Sequence, residues 1–121
     1  MKITRSTDAS EGPVEAAHFH GDVTRRDYGA FDAPEGTALL VHFPAGARTH
    51  WHSHPDGQLL YVTEGRGRVA TRDGTVVGVG AGDIVYAAPG EEHWHGAAAD
   101  EAVRHLALSF GATDWKEPVE G

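Results

Sequence analysis

Apolar and polar residues alternate along much of this chain, in short runs. Over residues 37–43, Thr37, Leu39, Val41 and Phe43 fall on one side and Ala38, Leu40 and His42 on the other. This period of two marks a half-buried strand. Comparable runs predict strands at 59–63, 65–72, 75–79, 84–87 and 103–110. Turn residues separate them: Pro44-Ala45-Gly46, Pro55-Asp56-Gly57, Asp73-Gly74 and Ala81-Gly82-Asp83. No run carries the 3.6-residue apolar repeat of a helix. The expected fold class is therefore all-β, an antiparallel sandwich or barrel. Residues 1–36 read as an N-terminal arm and edge strand, with a short strand near 23–26 and a loop over 27–36. Residues 37–110 form the barrel, and 111–121 a tail that is polar apart from Trp115.

Strand parity also organises the histidines. His52 and His54 stand two apart, so on a strand they point the same way, followed by the turn Pro55-Asp56-Gly57. Two imidazoles converging from one strand suit neighbouring positions on one metal ion. Gln58 follows the turn, and its amide oxygen could reach the same ion. About forty residues on, the parity repeats in His93-Trp94-His95, just past Pro89-Gly90. A third pair, His18 and His20, runs straight into Gly21-Asp22 with no further donor at a suitable spacing, and reads as a surface strand end. Arg66, Arg68 and Arg72 share one side of their strand and read as a solvated outer face.

Composition narrows the functional classes. The chain has 121 residues, enough for one domain with its own core. It has no cysteine, which excludes disulfides, thiol catalysis and cysteine zinc sites. A net charge of −8 disfavours nucleic acid and anionic membranes as partners. Lys2, Arg5, Asp8 and Glu11 interrupt any signal-like apolar run, and no stretch approaches the ~20 apolar residues of a membrane span. A cytoplasmic protein acting on a small molecule is expected.

The run Gly46-x5-His52-x-His54-x3-Gln58-x6-Gly65 resembles the first cupin motif, with Gln in place of the usual Glu. Gly82-x7-Gly90-x2-His93 resembles the second, with Pro89 one place late and Ala97 in place of the usual Asn. Trp51-His52-x-His54-Pro55-x-Gly57-Gln58, His93-Trp94-His95-Gly96-Ala97-Ala98 and His105-Leu106-Ala107 are similar to the small bacterial manganese cupins that include hydroxynitrile lyases. The resemblance implies a cupin jelly-roll barrel, a homodimer, and a divalent metal held by His52, His54, Gln58 and His93. Manganese comes first, with Fe, Ni, Co or Zn compatible with the donors. It implies catalytic roles for His105 and His95, and the cleavage of a cyanohydrin to a carbonyl compound and cyanide. The alternatives are a metal-dependent dioxygenase or isomerase of a small oxygenated molecule, and a non-catalytic cupin that binds metal or ligand.

Parity and resemblance disagree at one strand. Periodicity alone puts Leu106, Leu108 and Phe110 in the core, whereas the resemblance puts His105, Ala107 and Ser109 inside. In the second case the leucines form an outward apolar row that needs a partner.

Overall fold

The computed structural model describes residues 2–121. Strands run in the order β1 (Ser10–Pro13), β2 (Phe19–His20), β3 (Thr24–Asp32), β4 (Glu35–Phe43), β5 (Arg48–Thr49) and β6 (His52–Ser53). They continue as β7 (Gln58–Thr71), β8 (Val76–Gly80), β9 (Ile84–Ala87), β10 (His93–Ala97), β11 (Val103–Phe110) and β12 (Asp114–Trp115). Among the described residues the only helical pieces are 3-10 turns at Ser6–Asp8 and Ala16–His18. No helix among them is long and apolar enough to cross a membrane.

All pairings are antiparallel, and the strands curl into an all-β jelly-roll barrel. One wall follows the order β1-β3-β4-β11 and then the first half of β7, with β9 at its far edge. The other wall contains β8, the second half of β7, β10, β5 and β2, with β6 beside β10 and β12 beside β6. The long strand β7 thus belongs to both walls.

A bulge makes this possible. Opposite β7, Arg104 pairs with Glu64 and His105 with Val62, so Thr63 is an extra residue. One extra residue flips the side-chain parity. Leu60 and Val62 point inward before the bulge, and Gly67 and Val69, paired with buried Ala97 and His95, beyond it. Gly65 sits at the bend with φ +77, and an added Cβ would lie 2.0 Å from the Ala102 carbonyl oxygen. Only glycine fits there.

The apolar core fills one end of the barrel. Val23, Val41, Phe43, Ala47, Val62, Ala97 and Val103 are buried together, with Phe19, Leu39 and Val79 packed on them. The other end holds polar residues: His52, His54, Gln58, His93, His95, His105 and Ser109 are all less than 9% exposed.

On β11 the buried side carries Val103, His105, Ala107 and Ser109, and the half-buried side carries Leu106, Leu108 and Phe110. The outer side continues across the sheet through Leu40, paired with Leu106, and Tyr61, also paired with Leu106. At its edge Ile84 and Tyr86 are each 64% exposed.

Three stretches differ from the sequence reading. Residues 27–32, expected as loop, extend β3, which pairs along β4 with a register shift between Asp27 and Ala30. The glycine and charged residues there are absorbed by that irregularity and by an exposed edge. The basic residues of β7 are not a uniform solvated face: Arg68 Nε donates to the Ala97 carbonyl at 2.8 Å, and Arg72 is engaged by two glutamates. The polar tail carries a short strand that was not expected, its Trp115 joining the sheet opposite His52.

Candidate metal centre

Three short segments bring the imidazoles together. His52 lies on β6 directly opposite His93, the first residue of β10, so the two side chains share an inward position across the ladder. Their ring centroids are 4.4 Å apart. His54 follows on the way into the turn. Its carbonyl accepts from the Gly57 amide at 3.1 Å and the Gly90 amide at 2.9 Å, which ties the two histidine segments to each other. Its ring stands 5.0 Å from that of His52 and 5.6 Å from that of His93. Gln58 opens β7, and His95 follows His93 by one period of the strand.

The hydrogen bonds fix which nitrogens face inward. His52 Nδ1 lies 2.9 Å from the His50 carbonyl and His93 Nδ1 lies 2.9 Å from the Glu91 carbonyl. A carbonyl only accepts, so both Nδ1 atoms carry the proton and both Nε2 atoms keep a lone pair. His54 Nε2 is buried with no partner. Gln58 donates its amide nitrogen to Ser109 Oγ at 2.9 Å, which turns its oxygen to within 3.0 Å of His93 Nε2. Two lone pairs facing each other at that distance repel unless a cation stands between them. A proton is disfavoured in that position, because burial lowers the His93 pKa. A divalent metal fits, and the donors are those that first-row metals accept.

The same physics keeps the whole cluster neutral. Burial, and secondarily the neighbouring His93, holds the His52 pKa at about 2 and that of His54 at about 4. Burial holds His105 at about 4, and burial with His105 beside it puts His95 well below its usual range. Neutral imidazole is the ligand form, so no proton has to be displaced for a metal to bind.

His52, His93 and His95 stand close enough to hold one metal ion, their donor atoms lying within 4.8 Å of one another. The sequence expectation names His54 with Gln58 instead of His95, and both sets lie in the same chamber. His105 is set back from it: its Nε2 is 3.1 Å from His95 Nδ1, and its ring packs 5.2 Å from Phe43.

A narrow cavity of about 80 Å³ opens onto these groups. His52, His54, Gln58 and His95 line it, together with apolar Phe19, Leu39, Val41, Phe43, Ala107 and Trp115. Its other lining residues are Thr37, Thr49, Ser109 and Thr113, so no charged side chain faces it. A metal here would keep its full double charge, and a small uncharged molecule would meet apolar walls. Sequence reasoning missed Thr113 and Trp115. The only signal for them was an isolated tryptophan in a polar tail.

A jelly-roll barrel with inward histidines on facing strands is the architecture of the cupins, and the comparisons agree. The chain matches the cupin domain model over residues 39–109 and belongs to that family. It is 42% identical to an (R)-mandelonitrile lyase of Granulicella tundricola, over 98% of this chain and 95% of that protein. Among solved structures it is similar to a cupin-like protein from Thermotoga maritima, with a TM-score of 0.83 and 36% identity over 89% of this chain and 86% of that one. An acetylacetone dioxygenase from Acinetobacter johnsonii shares the fold at a TM-score of 0.74 and 16% identity, covering 97% of this chain and 76% of that one.

Proposed function

We propose that this cupin is a metal-dependent hydroxynitrile lyase that splits a small cyanohydrin into a carbonyl compound and cyanide, and runs the reverse addition. The observation that carries the reading is the 42% identity to the (R)-mandelonitrile lyase along nearly the whole of both chains. It is supported by a buried, uncharged imidazole and amide cluster at the end of an apolar cavity.

His52, His54, Gln58 and His93 are the proposed ligands. Manganese is the first choice, by likeness to the manganese cupins. A bound divalent cation would supply Lewis acidity toward the substrate hydroxyl.

The chain's own residues account for the rest. Phe19, Phe43 and Trp115 hold the organic part of the substrate and exclude water. His95 lines the cavity and takes the hydroxyl proton. The base role requires His95 Nδ1 to donate to His105 Nε2, which leaves the other His95 nitrogen bare and the His105 proton on its Nδ1. His105 shares the charge that develops. As the O–H proton leaves, its electron pair forms the C=O bond, and the C–CN bond breaks with its electrons on cyanide. His95 then returns the proton, and hydrogen cyanide departs.

The dioxygenase reading rests on likeness of fold alone. An uncharged donor set stabilises a trivalent metal poorly, which argues against it. Measuring mandelonitrile cleavage and oxygen consumption on metal-loaded protein separates the two: the lyase releases benzaldehyde without consuming oxygen.

We also propose that the protein pairs with a second copy through the outer face of the β4–β11–β7 wall. Half-buried Leu40, Leu106 and Leu108 border an open apolar depression there, together with Tyr28 and Ala38.

A further inference from the structure

The C-terminal segment crosses the mouth of the barrel. Gly111 starts it with φ +80, packed where an added Cβ would lie 3.2 Å from the Pro55 ring. That positive φ turns the chain back over the histidines. Asp114 and Trp115 then pair with Ser53 and His52. The Trp115 ring lies 4.7 Å from that of His52 and stacks on His18 at 4.5 Å, with 4° between the planes. Two more backbone bonds extend the crossing: Trp51 N to the Glu117 carbonyl at 3.0 Å, and Lys116 N to the Trp51 carbonyl at 2.8 Å.

Arg72 clasps the far end. Its guanidinium meets Glu117 with two bonds, of 3.1 and 2.8 Å, and Glu92 with one of 2.9 Å. It also lies 4.0 Å over the Trp51 ring. A single side chain therefore joins the tail to the residues just before His52 and just before His93. A two-bond guanidinium fork of this kind fixes direction as well as distance.

The tail reaches the histidines directly at one atom. Thr113 Oγ1 lies 3.3 Å from His54 Nδ1, while His54 Nε2 is buried and unpartnered. His52 and His93 are oriented by backbone carbonyls, which no substitution removes. His54 depends on a hydroxyl from a segment 59 residues away. A partner at the outer nitrogen sets ring direction, and a Thr113 hydroxyl that accepts from Nδ1–H leaves Nε2 bare, the form that binds metal.

We infer that Thr113 is a positioning residue of the metal centre, holding His54 with its inner nitrogen bare, and that Arg72 clasps the strap that carries it. The inference rests on the metal centre proposed above.

The test uses Mn²⁺ alone, titrated into metal-stripped full-length protein, with free Mn²⁺ read by electron paramagnetic resonance. Thr113→Val keeps the shape and removes the hydroxyl. It is expected to weaken Mn²⁺ binding roughly 10- to 100-fold, with the metal-free unfolding midpoint unchanged. Thr113→Ser is expected to restore most of the affinity. Arg72→Gln is expected to weaken Mn²⁺ binding less than Thr113→Val, and to speed hydrogen exchange at the Trp51 and Lys116 amides. Wild-type affinity in Thr113→Val would overturn the role of Thr113. Unchanged exchange and affinity in Arg72→Gln would overturn the clasp. A wild-type protein that takes up no Mn²⁺ would instead sink the manganese centre itself, a result distinct from either.

Discussion

His105 Nε2 stands 3.1 Å from His95 Nδ1, and of the two only His95 lines the cavity. The pair is thus ordered, with His95 facing the cavity and His105 behind it. His95→Ala is expected to lower kcat by roughly 10²–10⁴-fold, the usual cost of a lost general base. His105→Ala should cost less and shift the pH profile of kcat, since His105 acts through His95. Steady-state rates across pH for both variants check this order. A larger loss in His105→Ala than in His95→Ala would reverse the two roles.

Metal content discriminates between the two histidine sets. His52→Ala, His93→Ala and His54→Ala are expected to lose most bound metal, and His95→Ala to retain it, as elemental analysis of purified variants would show. Retention in His54→Ala together with loss in His95→Ala would assign the ion to the His52, His93 and His95 group. Gln58→Glu is expected to keep the metal but slow turnover, because a carboxylate partly neutralises the ion's charge. An unchanged rate in that variant would count against the uncharged donor set.

Acid should unfold the metal-free protein through its histidines. Their folded pKa values lie at about 2 for His52 and about 4 for His54 and His105, against 6.5 in the unfolded chain. Between those values the unfolded chain binds more protons, so stability rises with pH across that window. The contribution is fully present above about pH 6.5 and is lost progressively as pH falls toward 4. Melting curves should show a lower Tm at pH 5 than at pH 7.5, and a flat Tm over that range would contradict a neutral buried cluster.

The outer apolar face predicts association. Burying each leucine is worth about 1.5–3 kcal/mol, and a two-fold contact counts every residue twice. Light scattering is expected to give twice the 12.9 kDa chain mass. Leu106→Glu should shift the mass toward the monomer, while a wild-type monomer would remove this interface.

Much of the site was legible in strand parity. Side chains repeat every second residue, so His52 with His54 and His93 with His95 had to converge if their segments were strands. The direction of β11 was not legible in that way, because Leu106, Leu108 and Phe110 are the more apolar set. Their outward placement reflects a wall whose inner side is occupied by His105 and Ser109. The continuation of β3 past residue 26 was not legible, because its Asp27–Ala30 irregularity mimics loop chemistry. The contacts of Thr113 with His54 and of Arg72 with Glu117 span 59 and 45 residues, and no local pattern encodes them.

Cleavage of mandelonitrile by the purified protein, before and after chelation and again after Mn²⁺ is restored, tests the central claim most directly. The account predicts benzaldehyde release well above the spontaneous rate, abolished by chelation and recovered with the metal. Metal-loaded protein that leaves the spontaneous rate unchanged, or activity indifferent to chelation, would contradict it.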